Sequence, residues 1–200
     1  MLTDHGIEFL VGGYDAFRHH AGIDRVTKDF DLMVRPADVD PVLELCQRAG
    51  YRAELMFSHW LAKIQQEEYF IDLIFNSGNG LCAVDDEWFS RSAESVLHDR
   101  PVKIIPLEEL LWQKAFIMER ERFDGADIAH LLLKSGAKMD WEHLITRFGP
   151  NWRVLFSHLL LFGFIYPSRK NIIPRTVRMN SCAASTRSSS STSAVRKYAT

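Results

Sequence analysis

The 200-residue chain is poor in cysteine, and its three cysteines have neither metal-ligand spacing nor an even-numbered pairing framework. Cys46, Cys82 and Cys182 therefore exclude a disulfide-stapled scaffold and suit a reducing cytoplasm. Long apolar runs are lacking too. The longest, Val154 to Tyr166, is broken by Ser157, His158 and Gly163; too short to span a bilayer, it reads as a buried helix. The start, MLTDHGIEF, has neither a basic n-region nor an apolar h-region. No signal peptide and no membrane partner are expected, and the expected location is cytoplasmic. Acidic residues are absent after Glu142, whereas nine Lys or Arg follow it. The net charge of −2 thus hides a body, residues 1–142, of 15 basic and 26 acidic residues, a net of −11, and a basic end.

What is present is enough apolar material, 46% of residues, to bury a core. Ile7 to Val11 reads as a strand ended by Gly12-Gly13, with a short helix Tyr14 to His20 stopped by Gly22. Asp29 to Val34 reads as a second strand. Asp40 is expected to cap a helix carrying Pro41 in its first turn, with Gly50 as its stop. Three more strands are expected at Tyr51 to Leu55, His59 to Gln65 and Tyr69 to Phe75. Asn76 to Gly80 is turn chemistry, and Asp85-Asp86 can cap a short helix through Ala93. After a last strand, Val102 to Ile105, the apolar period changes from 2 to 3.6. Helices are then expected at Leu107 to Arg122, Gly125 to Lys134, Asp140 to Phe148 and Trp152 to Phe164. The expected organisation is an α/β part over 1–105, a helical part over 106–166 and a basic tail over 167–200, disordered from about 176 because TRSSSSTSAVRKYAT has no apolar pattern.

Aspartate is depleted in strand interiors, since an ionised carboxylate there is costly unless a cation compensates it. Asp29 and Asp31 project to one face of their strand, while Phe30 and Leu32 point the other way. Asp72, in the run Tyr69 to Phe75, can complete a three-carboxylate cup. Such a cup can hold two Mg²⁺ ions, or Mn²⁺ in their place, at roughly 3.5–4 Å, the spacing used for in-line displacement at phosphorus. Gly12 and Gly13 at a strand-to-helix turn let backbone N–H groups approach a triphosphate. Taken singly, each motif is weak: an Asp-x-Asp can equally be an edge-strand pair neutralised by Arg25 and Lys28.

The order strand–Gly-Gly–helix, strand–Asp-x-Asp, strand–Asp resembles the polymerase-β-like nucleotidyltransferase superfamily over about residues 7–135. It is most similar to the small bacterial minimal enzymes and to the toxin-type members of abortive-infection and toxin–antitoxin systems. The residues carrying the likeness are Leu10-Val11-Gly12-Gly13, the run Gly22 to Asp31, Asp72, and the segment Lys114…Arg120 to Asp127. The resemblance implies an α+β (α/β) fold: a nucleotidyltransferase-like mixed β-sheet with flanking helices, followed by a small helical subdomain. It implies a catalytic, metal-binding set Asp29, Asp31 and Asp72, and a nucleotide-binding set Gly12, Gly13, Arg25, Thr27, Lys28, Lys114, Asp124 and Asp127. It also implies an NTP substrate and an acceptor hydroxyl on RNA, a protein or a small molecule, with a cognate antitoxin as a partner if the enzyme is of the toxin type. Gly12-Gly13 departs from the Gly-Ser many members carry, and the gap to Asp29 is longer than in the minimal enzymes. Lys114 lies at the margin of an apolar helix face with Leu110, Leu111 and Met118; it either reaches the cleft along its methylenes to bind the triphosphate or is a solvated helix charge. Trp60 and Lys63 are placed on opposite faces of one strand; Lys63 could approach the substrate, but the solvated reading is favoured. The competing reading is a non-catalytic nucleotide- or partner-binding module, which three clustered carboxylates argue against.

Overall fold

The computed structural model describes residues 1–24, 27 and 29–177. A seven-stranded mixed sheet, in the order β3-β4-β5-β2-β1-β7-β6, is built from β1 (Leu10–Val11), β2 (Phe30–Met33), β3 (Arg52–Phe57), β4 (Leu61–Gln66), β5 (Tyr69–Ile74), β6 (Ala93–Leu97) and β7 (Arg100–Ile104). Two junctions, β2 with β5 and β1 with β7, are parallel, flanking the antiparallel β2–β1 pair; the remaining pairs are antiparallel. Helices α1 (Gly13–Ala21), α2 (Val39–Arg48) and α3 (Asp86–Ser90) lie between strands. Four more follow the sheet: α4 (Leu107–Ala115), α5 (Gly125–Ser135), α6 (Trp141–Phe148) and α7 (Trp152–Ile165). This is the expected α+β architecture.

One core runs through both parts. Leu10, Val11 and Leu73 from the sheet, Phe17 from α1, Leu110 and Leu111 from α4, Leu131 from α5 and Phe162 from α7 belong to a single buried cluster. Burying apolar side chains from four helices against one another and the sheet stabilises each by about 1.5–3 kcal/mol. Contacts between α1 and both α4 and α5 bring the helical part onto the strand-to-helix turn that follows β1.

Several expectations need correction. Strand β6 is not among the expected elements: α3 ends at Ser90 rather than Ala93, and Ala93–Leu97 pair antiparallel with β7 as a hairpin. The second helix is preceded by Asp38 rather than capped by Asp40, and Pro41 sits in its first turn, where a missing N–H costs nothing. Helix α4 stops at Ala115 instead of running to Arg122, and Met118, placed on its apolar face by periodicity, is exposed and bridges to Phe123. Helix α7 is buried on one side only: Leu155, His158, Leu159 and Phe162 face the core, while Leu160 and Phe164 face solvent. The segment after α7 forms a 3-10 turn, Pro167–Ile172, and Ile173 and Val177 pack into the core. The rest of the expected disordered tail lies outside the described residues, as do Arg25 and Lys28.

Candidate active site

The centre of the sheet carries the carboxylates. In the parallel β2–β5 pair Asp31 and Asp72 are direct register partners, so both project from the same face. Asp29 lies one residue before β2 rather than within it and is exposed. Across the antiparallel β1–β2 pair, the Gly12 N–H donates to the Asp31 carbonyl at 2.9 Å. The chain then turns at Gly13, whose φ of 53° favours glycine, and a Cβ there would overlap the Asp31 carboxylate. Helix α1 starts at this point, aiming its first N–H groups over the strand ends.

These residues line an open cleft of about 390 Å³, a size typical of small-molecule sites. Gly13, Thr27, Asp29, Asp31 and Asp72 form its floor and one wall; Gln113, Lys114, Glu119 and Arg122 face them from the helical part. Thr27 braces the chain before β2, its Oγ1 accepting from the Asp29 N–H at 3.3 Å. Of the sequence-predicted residues, the cleft lining thus unites Asp29, Asp31, Asp72, Gly13, Thr27 and Lys114; Gly12 underlies Gly13 in the main chain.

Burial and the repulsion of Asp72 and Asp29 push the Asp31 carboxyl up to about 6, against the partial relief of Lys114 and Arg122. Beyond Asp72, Lys63 on β4 is its register partner, and the Lys63 Nζ stands 2.9 Å from Asp72 Oδ1. That approach is off hydrogen-bonding angles: Asp72 Oδ1 is buried with no hydrogen-bond partner. The cup suits a hard divalent cation on these grounds, since it offers clustered carboxylate oxygens, a buried oxygen lacking a donor, and mutual repulsion that a cation would relieve.

Lys114 sits deeper than expected. Its side chain is 6% exposed, and its Nζ donates to Asp124 Oδ2 and Asp127 Oδ2, both at 2.7 Å. Asp124 is also held by the Arg122 Nε at 3.1 Å. Burial would raise the Asp124 carboxyl, but Arg122 and Lys114 outweigh it and hold it below the usual range. Asp124 and Asp127 are therefore the groove that fixes Lys114, and Lys114 is what reaches the cleft.

Three features escaped the sequence. Lys63 was assigned to solvent, yet the β4–β5 register makes it the neighbour of Asp72. That hairpin turns at Glu67-Glu68, with Glu67 at a φ of 55°, and no Gly or Asn marks the turn. Trp60 lies just before β4, where strand alternation does not apply, and it lines the cleft with Phe57 stacked behind it at 5.5 Å. Away from the cleft, Glu109, fully buried on α4, meets His143 at 2.6 Å and Arg147 at 3.2 Å. Glu87, Glu109 and His143 have oxygen and nitrogen atoms within 4.8 Å of one another, as a metal site would. Arg147 already supplies cationic charge there, pairing with Asp85 at 2.7 Å and stacking on Trp112, so the cluster reads as an ion-pair network joining α3, α4 and α6.

The model of the family described as "Nucleotidyl transferase of unknown function (DUF2204)" matches residues 1–148. The chain belongs to this nucleotidyl transferase family. It is accordingly an enzyme of nucleotidyl transfer. No curated protein matches it. Among solved structures, the antibiotic-resistance factor ANT(2″)-Ia is similar at 17% identity and a TM-score of 0.49, over 78% of this chain and 90% of that one. The lincosamide antibiotic adenylyltransferase LnuA, lincomycin-bound, is similar at 16% identity and a TM-score of 0.44, over 65% and 89%. An antigenic nucleotidyltransferase-like protein from Paracoccidioides brasiliensis is similar at 14% identity and a TM-score of 0.47, over 86% and 88%. Likeness at this level does not extend to substrates.

Proposed function

We propose that this nucleotidyl transferase moves an NMP from an NTP to an acceptor hydroxyl, with Asp29, Asp31 and Asp72 holding two Mg²⁺ ions. The observation that carries the reading is the in-register pair Asp31–Asp72, set against the Gly13 turn on one side and facing Lys114 in the same cleft. When bound, the ions would neutralise phosphate charge and lower the pKa of the attacking hydroxyl. In the transfer, a bond forms between the acceptor oxygen and the α-phosphorus. The bond from that phosphorus to the β-bridging oxygen breaks, and pyrophosphate leaves.

The chain's own groups divide the work. The α1 N-terminus beyond Gly13 offers backbone N–H groups to the phosphates, and the absence of a Cβ lets them come close. Lys114, with two of its three N–H donors on Asp124 and Asp127, has one left for a phosphate oxygen. Thr27 belongs to the nucleotide side of the cleft; the nucleotide-binding roles of Arg25 and Lys28, outside the described residues, rest on the sequence resemblance alone. Asp72, on the opposite side with Trp60, accepts the proton of the acceptor hydroxyl. In this reading residues 1–105 are the catalytic part, 106–166 the helical part that supplies Lys114, and 167–200 a basic extension. NTP is drawn from the cytoplasm. Among the described residues no helix is long and apolar enough to cross a membrane.

The test is to incubate the protein with each α-³²P-labelled NTP, Mg²⁺ and a cell extract, then identify what becomes labelled. Label on RNA or protein supports a toxin-type role, for which a cognate antitoxin would be sought; label on a small molecule supports a modifying enzyme. No labelled acceptor with any NTP would leave the competing non-catalytic binding module as the better account.

A further inference from the structure

Lys114 gives the carboxylate cup only partial, longer-range relief, because its ammonium is hydrogen-bonded to Asp124 and Asp127 instead. Arg122 is likewise spent on Asp124. Among the described residues, the cation placed directly against the triad is Lys63, 2.9 Å from Asp72 Oδ1. It comes from the outer side, where β4 flanks β5, so Asp72 stands in the sheet between Lys63 and Asp31. Its own contacts are loose. The side chain is 36% exposed, its approach to Asp72 lacks hydrogen-bond geometry, and its Nζ rests 4.3 Å from the centroid of the Phe70 ring.

We propose that Lys63 is the resident counter-cation of the cup, holding Asp72 in the metal-free enzyme and yielding that carboxylate to the divalent metal. The proposal rests on the reading of Asp29, Asp31 and Asp72 as a metal site. An ammonium and a divalent ion satisfy the same need, the charge of a half-buried carboxylate beside two others, and a divalent ion held by Asp72 would repel an ammonium 2.9 Å from Asp72 Oδ1. A directed, fully buried salt bridge would resist exchange. An off-angle contact on a flexible four-carbon stem does not, and the Phe70 ring face gives the ammonium a place to rest once displaced. Lys63 therefore weakens metal binding while it steadies the empty site. By linkage these are one effect: whatever Lys63 contributes to the metal-free form alone is subtracted from metal affinity.

The experiment titrates Mn²⁺ into wild type, Lys63→Met, Lys63→Arg, Asp31→Asn, Asp72→Asn and the Lys63→Met/Asp72→Asn pair, reading free Mn²⁺ by electron paramagnetic resonance. Removing one charge at this range should tighten Mn²⁺ binding on the order of tenfold in Lys63→Met. Lys63→Arg should stay near wild type, and Lys63→Met should have no further effect once Asp72 is Asn. Melting in EDTA should place Lys63→Met below wild type, and saturating Mn²⁺ should close that gap. Unchanged or weaker Mn²⁺ binding by a folded Lys63→Met, with wild type binding normally, overturns the proposal. Failure of the parent reading looks different: wild type and Asp31→Asn would then bind Mn²⁺ equally, or not at all.

Discussion

Asp31 and Asp72 are register partners on adjacent parallel strands, so the sheet itself presses two carboxylates together on one face. Burial and that neighbour lift Asp31 to about 6, and such a shift costs stability. The folded-state value lies above the ordinary 3.8, so the native protein binds this proton more tightly than the unfolded chain does. The penalty is absent below about pH 4, grows between pH 4 and 6, and is complete above 6. Asp31→Asn should therefore stabilise the metal-free protein at pH 8 by about 2–3 kcal/mol and have little effect at pH 4. Urea unfolding in EDTA at both pH values checks this, and an equal effect at the two would contradict it.

Gly13→Ala tests the close approach. A Cβ would overlap the Asp31 carboxylate and would sit on a backbone with φ of 53°, so both the cup and the turn are disturbed. Stability should fall by roughly 1–3 kcal/mol, and Mn²⁺ affinity should fall with it. Retention of wild-type affinity would show that the turn does not set the position of Asp31.

Lys114→Met is expected to be costly rather than neutral. The buried ammonium holds two carboxylates at 2.7 Å, and its loss removes that cation from both Asp124 and Asp127. A loss of about 3 kcal/mol follows from stranding buried charge. Pairing it with Asp127→Asn should recover part of that loss. Denaturant midpoints of the two variants decide, and equal midpoints would mean that the Asp127 charge is not what the loss of Lys114 leaves uncompensated.

The buried network around Glu109 gives an independent check. Burial pushes the Glu109 carboxyl up, while His143 and Arg147 pull it back. Arg147→Met removes contacts to Asp85 and Glu109 and should cost roughly 3 kcal/mol of stability. Nucleotidyl transfer at a temperature where the variant is folded should stay within twofold, because none of these residues lines the cleft. A large loss of turnover in the folded variant would tie the network to the reaction.

The legible parts of the sequence were those where period and chemistry agree. Asp29, Asp31 and Asp72 stood out because carboxylates interrupt apolar strands, and the structure brings all three to one cleft. The Gly12-Gly13 turn was legible because φ near 53° and close approach both select glycine. The length of α4 was not legible: Ile117 and Met118 keep the apolar rhythm past the point where the chain leaves the helix for the Met118–Phe123 bridge. Lys63 was hidden by register, which depends on a Glu-Glu turn without turn residues. The depth of Lys114 was hidden because burial of a lysine depends on Asp124 and Asp127 arriving from α5 and the turn before it.

The most direct measurement follows pyrophosphate released from γ-³²P-labelled NTP by wild type and by Asp72→Asn, each with Mg²⁺ and the acceptor found by labelling. Wild type should release pyrophosphate in step with acceptor labelling, and the Asp72→Asn variant, folded to the same melting temperature or above, should be slower by at least about a hundredfold. Turnover by Asp72→Asn at the wild-type rate would contradict the assignment of nucleotidyl transfer to the carboxylate cup.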